Sequence, residues 1–473
     1  MKEMSAIGFD VGNAKCVVAS IRDGKMEIML NDESKRETPS VICFGEKQRF
    51  IGSTGAASAS KYPNSTFSDL KSRLALDDTP ITVDGYLSKT HKFSPTEMMG
   101  TIFTHLKQTA ERKLNIEGTS CVLGIPSYFK EKHRRAYLNA AKIAGLNPLR
   151  LMHDCTAAAL SYGFYKKETA IVAFVDIGHC DTQVSIASFK PDEMSILSHS
   201  WDPSLGGRNF DEVLFHHFSK EFKERYGIDV SSNDKAIKRL KSSCEKVKTV
   251  LSVNTEASFN IEILCGVDDV QGAVTREKFE CLCSELLIRI AIPCAQAAAD
   301  AKVPFSRIDS VELIGSGSRV PLISKVVASV FKKEPSRTLN ASECVAMGCA
   351  VQCKMLTAKT MGRKYEVKDF FPYNIAVPTI GEVFSRKQHV PVTKVLSFNE
   401  ICPFQFDIEY RNIDGVDKVK TITVRIEESD NAKGERKRFE LKFELDINGI
   451  VEVCSAMSME DGNHVVMDAP RGT

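Results

Sequence analysis

Two aspartate–glycine motifs lie far apart in the chain and could together bind the phosphates of a nucleotide. The first motif covers residues 8–12 and contains Asp10, and the second covers residues 174–178 and contains Asp176. A glycine in a turn lets backbone N–H groups approach a phosphate closely, while an adjacent aspartate can hold Mg²⁺ through water. Each motif alone is also typical of an ordinary turn, so the hypothesis depends on the pair. Two such turns that face each other would hold a nucleotide between two lobes.

Short apolar runs flank both motifs and predict the strands that position them. Residues 5–7 and 16–19 flank the first motif, and residues 170–173 and 184–187 flank the second. The pattern of strand, turn and strand therefore occurs twice. Up to about residue 365, predicted strands alternate with predicted helices, which indicates an α/β protein.

Local signals mark several further elements of this α/β region. Residues 94–97, Ser-Pro-Thr-Glu, combine a serine cap, an early proline and the glutamate of a capping box, so we predict that a helix begins there. Further helices are predicted over residues 131–144 and from Asn340 onward. Buried strands are predicted over residues 121–126 and 310–314.

After Tyr365 the apolar pattern changes to a period of two, which predicts a separate β domain. Apolar and charged residues alternate over 439–447, and the turn Asn448-Gly449 follows. This pattern predicts a β-hairpin with one buried and one solvated face. The alternation over residues 422–426 predicts a second half-buried strand.

Two further segments could contact the base and sugar of a nucleotide. Residues 314–321 follow a predicted strand and contain small residues and Arg319, whose guanidinium could stack on a base. A flexible turn explains the same segment equally well. Glu245, Lys248 and Ser252 share one face of a predicted helix, an arrangement that is also typical of a solvated helix face.

Composition narrows the possible classes of function. The chain has 473 residues and is 43% hydrophobic, so two or three domains are expected. Its 63 lysines and arginines balance 61 aspartates and glutamates, which gives no indication of a nucleic-acid partner. Because no apolar segment has the length of a signal or a membrane span, we expect a protein of the cytoplasm or nucleus without a membrane partner. The 15 scattered cysteines lack zinc-binding spacing and are expected to be mostly reduced core residues.

Taken in order, these motifs resemble those of the seventy-kilodalton heat-shock chaperones along the whole chain. The matching segments are residues 8–12, 125–126, 143–147, 156–159, 176–178, 205–207, 244–245, 315–321 and 348–352. The resemblance implies an actin-like, ribonuclease H-like α/β ATPase domain of two lobes over 1–365. It further implies a linker over 366–372 and an all-β sandwich, the family's substrate-binding domain, over 373–473. The implied ligands are ATP and Mg²⁺.

The resemblance also assigns residues to the nucleotide site. Asp10 and Asp176 would face Mg²⁺ through water, and Lys71, Asp154 and Asp176 would be the catalytic residues. The nucleotide-binding residues would be Asp10, Gly12, Asn13, Ala14, Lys71, Gly178, His179, Glu245, Lys248, Ser252, Gly315, Ser316 and Arg319.

Residues 178–179, Gln183 and 369–373 resemble the large hundred-and-ten-kilodalton heat-shock branch. Departures from the family pattern predict slow or absent ATP hydrolysis. Asn13 and Ala14 replace two threonines, Asp181 stands where a neutral threonine is usual, and Asp154 replaces the catalytic glutamate. Shortening a carboxylate by one methylene displaces it by about 1 Å, which can cost about a hundredfold in rate. His179 could be a general base or a metal ligand, but without a second imidazole nearby in sequence we favour a packing role.

We favour the function of that branch, a nucleotide exchange factor and holdase for ordinary 70-kDa heat-shock chaperones. Unfolded polypeptide would be a second partner, and ATP would act as a structural ligand. The alternative is an ATP-hydrolysing chaperone that cycles on unfolded peptide, against which the charged linker residues Glu366 and Lys368 argue. An actin-fold sugar kinase ranks third because it leaves the β domain without a role. The helical domain of the branch does not follow the β domain, so we expect a shortened chain with weakened exchange activity.

Overall fold

The computed structural model describes residues 6–22, 24–76, 79–116, 118–267, 269–357, 365–401, 403–412, 415–426, 436–459 and 465–468. Ser5, which the first predicted strand included, lies outside the described residues. The chain divides into two compact units, Met1–Ser127 with Asn139–Glu366, and Tyr128–Leu138 with Val367–Thr473. Each unit is built around its own sheets.

The first lobe of the first unit is organised by a mixed sheet in the order β11-β10-β1-β2-β3, with β4 beside β2. Its strands and helices are β1 (Ala6–Val11), β2 (Lys15–Arg22), β3 (Lys25–Ile28), β4 (Thr38–Pro39), β5 (Ile42–Phe44), β6 (Arg49–Ile51), α1 (Ser53–Ser58), β7 (Thr66–Phe67), α2 (Leu70–Leu76), β8 (Ile81–Tyr86), β9 (Lys89–Phe93), α3 (Pro95–Leu114), β10 (Thr119–Ile125), α4 (Glu131–Ile143), β11 (Leu146–His153) and α5 (Asp154–Gly163). The part of α4 up to Leu138 belongs to the second unit.

The second lobe of the first unit contains a sheet in the order β17-β12-β13-β14. Its elements are β12 (Ala170–Ile177), β13 (Thr182–Lys190), β14 (Glu193–Asp202), α6 (Gly207–Tyr226), α7 (Asp234–Leu251), β15 (Glu256–Ile261), β16 (Val270–Thr275), α8 (Arg276–Leu282), α9 (Ser284–Ala301), β17 (Ser310–Ile314) and α10 (Pro321–Phe331). The last helix of the first unit is α11 (Cys344–Thr357). Buried phenylalanines of α6, Phe210, Phe218 and Phe222, lie in the hydrophobic core of this lobe. Their burial contributes to the driving force that holds the helices to the sheet.

Helix α11 packs against α5 and β1 of the first lobe. Gly348 permits this close packing, because a Cβ atom there would lie 1.8 Å from the carbonyl oxygen of Ala157. No larger residue could occupy the position without separating the two helices.

The structure confirms the predicted helix signals, with one shift. Helix α3 begins at Pro95, and the side chain of Ser94 and that of Glu97 form the predicted capping box. The helix predicted from Asn340 begins only at Cys344. Asn340 Oδ1 instead accepts the N–H of Ser342 at 3.1 Å, which holds residues 340–343 in a turn.

The second unit contains two antiparallel sheets, in the orders β20-β19-β22-β23-β26 and β21-β24-β25. The strands from the unit boundary onward are β18 (Glu366–Lys368), β19 (Asn374–Val377), β20 (Gly381–Phe384), β21 (Val392–Glu400), β22 (Phe404–Asn412), β23 (Gly415–Ile426), β24 (Lys437–Leu445), β25 (Val451–Ser458) and β26 (Val465–Asp468). Phenylalanines of both sheets meet: the ring centroids of Phe398 and Phe406 are 5.0 Å apart, and those of Phe404 and Phe439 are 5.2 Å apart. These contacts form a sandwich core, which confirms the predicted fold class of an α/β ATPase-type domain followed by a β-sandwich.

The predicted hairpin at Asn448-Gly449 joins β24 to β25, with Leu445 paired to Val451. Its loop is longer than a two-residue turn, because the N–H of Asp446 bonds the carbonyl oxygen of Ile450 at 3.0 Å. Asp446 Oδ1 accepts the N–H of Asn448 at 2.8 Å and stabilises this loop.

Residues 128–138 pack within the second unit, although the sequence predicted that the first domain extends without interruption to residue 365. Arg134 is 2% exposed, donates to the carbonyl oxygen of Asn448 at 2.7 Å and lies 5.1 Å from the ring centre of Phe371. Tyr410 Oη accepts the N–H of Glu131 at 2.9 Å. Helical periodicity could not assign residues 128–138 to the second unit, because it shows that one face of a helix is buried but not which part of the protein covers that face. The boundaries 1–365, 366–372 and 373–473 stay predictions.

Among the described helices, none has by itself the length and apolar character of a membrane span, and only the bent pair α8 and α9 together meets those two criteria. The described cysteines are all free, and only Cys265, Cys281 and Cys454 among them are exposed.

Candidate nucleotide-binding site

The two aspartate motifs form hairpins with the same backbone geometry. Asp10 is the penultimate residue of β1, and Asp176 is the penultimate residue of β12. In each hairpin the glycine two residues later donates its N–H to the carbonyl oxygen three residues further on, at 3.0 Å from Gly12 and 2.9 Å from Gly178. The two carboxylates are therefore presented in the same way, one from each lobe.

The two hairpins line one cavity of about 330 Å³. All fifteen residues that the resemblance assigned to the site line this cavity: Asp10, Gly12, Asn13, Ala14, Lys71, Asp154, Asp176, Gly178, His179, Glu245, Lys248, Ser252, Gly315, Ser316 and Arg319. They come from segments that are up to about 300 residues apart in the chain, so only the tertiary fold brings them together. Their individual roles stay predictions.

The floor of the cavity holds more negative than positive charge. Lys71 Nζ lies 3.6 Å from Asp154 Oδ2, and both side chains are buried. Burial, together with the charge of Asp154, raises the pKa of Asp10 to about 7 and raises the pKa of Asp176 well above its ordinary value. Burial by itself would lower the pKa of Lys71, but the negative charges of Asp154 and Asp10 raise it by more. The pKa of Lys71 therefore lies above its ordinary value, and the side chain stays protonated. With Asp181 beside them, four carboxylates share one buried ammonium.

This charge distribution fits a divalent cation. Asp154 Oδ1 is buried and has no hydrogen-bond partner among the described residues, and such an atom in a native fold calls for a ligand or water. Mg²⁺ prefers carboxylate oxygens, takes one or two of them and completes its shell with water and phosphate. The residues present therefore suit a magnesium-bound phosphate, with Asp10 and Asp176 the carboxylates that would hold the ion through water.

Two polar side chains position the charged groups. Asn13 Oδ1 accepts the N–H of Ser72 at 2.7 Å and so anchors helix α2, which carries Lys71. Gln183 Oε1 accepts the N–H of Ser127 at 2.8 Å. Its Nε2 donates to Asp154 Oδ2 at 3.3 Å and to Asp181 Oδ2 at 3.2 Å. Gln183 therefore orients both carboxylates from one fixed amide.

The opposite side of the cavity is formed by α7 and by the turn after β17. Gly315 has a φ of +76°, and a Cβ atom there would lie 2.3 Å from Asp176 Oδ1. The turn therefore approaches the second hairpin more closely than any side chain would allow. Lys248 Nζ donates to the carbonyl oxygen of Gly207 at 3.0 Å and to Asp211 Oδ2 at 2.7 Å. These bonds tie the predicted adenosine face of α7 to the start of α6.

Lys15 and Glu37 also line the cavity, and the sequence analysis did not assign them. Lys15 Nζ lies 2.5 Å from a carboxylate oxygen of Glu37. The sequence did contain a signal for Lys15. Lys15 lies three residues after Gly12, and Asp181 lies three residues after Gly178, so the two residues occupy equivalent positions in the two hairpins. No sequence signal indicated Glu37, which reaches the cavity from the segment before β4.

His179 has a carboxylate for a neighbour rather than a second imidazole. Its Nε2 lies 3.4 Å from Asp69 Oδ1, at the rim of the cavity. The adjacent Cys180 is buried, and its thiol lies 3.5 Å from the same oxygen. The sequence did not indicate this cluster, because Asp69 is more than a hundred residues away in the chain.

Comparison with known proteins gives a family for this site and fold. The family model described as Hsp70 protein matches residues 6–471. The chain belongs to the Hsp70 family. Members of this family are chaperones that bind ATP with Mg²⁺ in general, and the residues that line the cavity described above all lie within the matched segment.

Relatives in the Hsp70 family include several large heat-shock proteins. Heat shock 70 kDa protein 16 of Arabidopsis thaliana is 45% identical over 97% of this chain and 65% of its own length. The 97 kDa heat shock protein of Strongylocentrotus purpuratus is 36% identical over 97% of this chain and 56% of its own. Heat shock protein hsp88 of Neurospora crassa is 35% identical over 97% of this chain and 71% of its own. These relatives confirm the resemblance to the large heat-shock branch, and the chain spans less than two thirds of the length of most of them.

Proposed function

We propose that this chain binds Mg–ATP between the two hairpins as a structural ligand. We further propose that, in the bound state, it acts as a nucleotide exchange factor for an ordinary 70-kDa heat-shock chaperone. The observation that carries the proposal is the convergence of Asp10, Asp176 and Lys71 in one cavity, from both lobes. A ligand that contacts both lobes stabilises the arrangement in which they face each other, by the free energy of its binding.

The residues of the cavity divide into a phosphate end and an adenosine end. Gly12 and Gly178 lack side chains and leave room for phosphates, and Lys71 supplies a positive charge to them. Bound Mg²⁺ would neutralise the phosphate charge and the charge of the two hairpin aspartates. At the other end Glu245, Lys248, Ser252 and Arg319 offer hydrogen bonds to the sugar and a flat guanidinium for the base, as the family resemblance implies.

The surroundings of Asp154 support slow or absent hydrolysis. Its Oδ2 is shared between Lys71 Nζ at 3.6 Å and Gln183 Nε2 at 3.3 Å. A carboxylate oxygen engaged in this way is less free to turn toward an attacking water, and the side chain is also one methylene shorter than the family's glutamate. We therefore favour conformational use of ATP over turnover.

The alternative is an ATP-hydrolysing chaperone, and the proximity of Lys71 to Asp154 is the observation that favours it. A buried lysine beside a carboxylate in a phosphate cavity is the pair of groups that phosphoryl transfer to water needs. A single-turnover assay with excess protein over radiolabelled ATP separates the two functions. Rapid phosphate release that Lys71→Ala abolishes would reject the structural-ligand proposal.

We propose that unfolded polypeptide contacts the β-sandwich. The outer face of its three-stranded sheet carries exposed apolar side chains, among them Val395 on β21 and Met457 on β25. Exposed apolar side chains on a sheet suit extended peptides with apolar residues. The free, buried thiols of the first unit suit a reducing compartment, and we place the protein in the cytoplasm or nucleus.

Two measurements test the proposal in sequence. Calorimetric titration with Mg–ATP should show saturable binding that Asp10→Asn weakens and Lys190→Ala, at an exposed lysine, leaves unchanged. An ordinary 70-kDa chaperone loaded with fluorescent ADP should then release it faster when this protein and Mg–ATP are added. No heat in the first experiment refutes ATP binding, whereas unchanged release in the second refutes only the exchange function.

A further inference from the structure

We infer that Asp69, His179 and Cys180 form a zinc site at the rim of the cavity, called here the rim cluster. The three ligand atoms, Asp69 Oδ1, His179 Nε2 and Cys180 Sγ, all lie within 4.8 Å of one another. This site is separate from the predicted magnesium position at Asp10 and Asp176 and needs neither of those residues.

The distances in the rim cluster match those around a tetrahedral zinc ion. Ligand bonds of roughly 2.0–2.2 Å to oxygen or nitrogen and 2.3 Å to sulfur place tetrahedral neighbours about 3.4 Å apart for an O–N pair and 3.6 Å for an O–S pair. In the rim cluster Asp69 Oδ1 lies 3.4 Å from His179 Nε2 and 3.5 Å from Cys180 Sγ. Two edges of the tetrahedron are therefore already formed. The third, between His179 Nε2 and Cys180 Sγ, is no longer than 4.8 Å and needs an adjustment of at most about an ångström.

The donor set selects zinc over the magnesium that accompanies ATP. A thiolate and an imidazole are soft or intermediate ligands that suit Zn²⁺, whereas Mg²⁺ prefers oxygen alone. The charges also balance, because a thiolate and a carboxylate together neutralise a divalent ion. Burial raises the pKa of the Cys180 thiol to about 12, so without metal it stays protonated and donates to Asp69. Binding of Zn²⁺ would displace this proton to solvent as the sulfur–zinc bond forms.

The rim cluster joins the two lobes. Asp69 lies between β7 and α2 in the first lobe, whereas His179 and Cys180 lie in the turn between β12 and β13 of the second lobe. The side chains of His179 and Asp69 are 31% and 37% exposed, so a metal ion can enter from solvent and keep water as its fourth ligand. A bound zinc ion would therefore connect the lobes directly, whether or not a nucleotide is present.

Cobalt and zinc binding to the nucleotide-free, metal-stripped protein test this inference. Titration with Co²⁺ should produce the intense visible bands of tetrahedral cobalt and a sulfur-to-cobalt charge-transfer band, both saturating at one ion per chain. Competition with a chromophoric zinc chelator should then give the zinc affinity. Because even outer-shell changes lower metal affinity about 10–100-fold, we expect Cys180→Ser to weaken zinc binding by at least about a hundredfold and to remove the charge-transfer band.

Two further variants separate the rim cluster from other thiols and from misfolding. Cys281→Ser alters an exposed cysteine outside the cluster and should leave both signals unchanged. Asp69→Asn keeps the shape of the side chain but removes its charge, and it should weaken zinc binding about tenfold or more while the charge-transfer band persists. Absence of the band in the unaltered protein overturns the inference. Equal zinc affinity in the unaltered protein and in a Cys180→Ser variant with the same thermal melt overturns it too.

Discussion

The two aspartate hairpins have the same backbone geometry but carry side chains of opposite charge three residues after the glycine. The first hairpin has Lys15 at this position, and the second has Asp181. In both, the glycine N–H donates to the carbonyl oxygen of that residue. The turn geometry therefore does not depend on the side chain at this position, so the side chain can make different contacts in each lobe.

Neighbouring residues decide what each of these charges does. Lys15 is 54% exposed and is held by Glu37 at 2.5 Å, so its charge is partly neutralised and screened by solvent. Asp181 accepts from Gln183 at 3.2 Å beside buried carboxylates, where like charges interact more strongly. The comparison indicates that the second hairpin opposes phosphate binding more than the first supports it, and that Lys71 and a divalent cation must offset the difference.

The largest effect is expected from Lys71→Ala, which removes the buried cation that both hairpins face. Breaking a buried ion pair costs roughly 3–5 kcal/mol, because the partner carboxylate keeps an uncompensated charge. We expect Mg–ATP affinity in calorimetry to fall by at least about a hundredfold. Lys190→Ala, which removes an exposed lysine, serves as the control and should bind normally. Normal affinity in Lys71→Ala would contradict the site.

Gly315→Ala should disturb the second hairpin and spare the first. The new methyl would lie 2.3 Å from Asp176 Oδ1 and from the carbonyl oxygen of Ile177, at a residue with a φ of +76°. Strain and overpacking together should cost about 2–4 kcal/mol of the free energy of unfolding. Gly227→Ala has a similar φ of +68° but no atom within 4 Å, and it should cost only about 1 kcal/mol. Equal losses in urea denaturation would show that crowding against the hairpin has no part in the effect.

Asp181→Asn should strengthen Mg–ATP binding about tenfold, because it removes a negative charge beside the phosphates while the amide can still accept from Gln183. Calorimetry at two salt concentrations measures this. The gain should shrink only slightly in high salt, since Gln183 and Asp154 nearby are buried. Weaker binding in this variant would mean that Asp181 holds the metal ion instead of repelling the phosphates.

The hairpin aspartates should make folding stability depend on pH in the nucleotide-free protein. The pKa of Asp10 is raised from 3.8 to about 7, chiefly by burial. Between these values the folded protein keeps a proton that the unfolded chain has released, so stability falls as pH rises, by up to about 1.4 kcal/mol per pH unit. Urea denaturation from pH 5 to 7 should show a steeper loss in the unaltered protein than in Asp10→Asn. Identical slopes would contradict the raised pKa.

The smallest effect is expected from the exposed charge of the first hairpin. Lys15→Met should lower Mg–ATP affinity only about threefold, because exposed ion pairs and charges contribute less than about 1 kcal/mol. Glu37→Gln should raise the affinity by a similar factor, since it releases Lys15 toward the cavity. A tenfold or larger loss in Lys15→Met would mean that Lys15 leaves Glu37 and contacts phosphate directly.

The sequence alone predicted the local elements well where a local cause exists. The capping box at Ser94 and the alternation before Asn448 depend on neighbours within a few residues, and both the helix and the hairpin form as expected. The start of α11 was predicted too early, because Asn340 caps a turn as readily as it caps a helix. The family resemblance, rather than periodicity, supplied the residues of the cavity.

The amino-acid sequence by itself determined the two aspartate–glycine hairpins, the order of an α/β region followed by a β region, and the membership of the Hsp70 family. Only the tertiary structure placed Glu37 and Gln183 in the cavity, brought Asp69 to His179 and Cys180, and assigned residues 128–138 to the second unit. The reason is physical. Strand and helix preferences arise from neighbours along the chain, whereas ion pairs, metal ligands and burial arise from segments that meet only when the core packs.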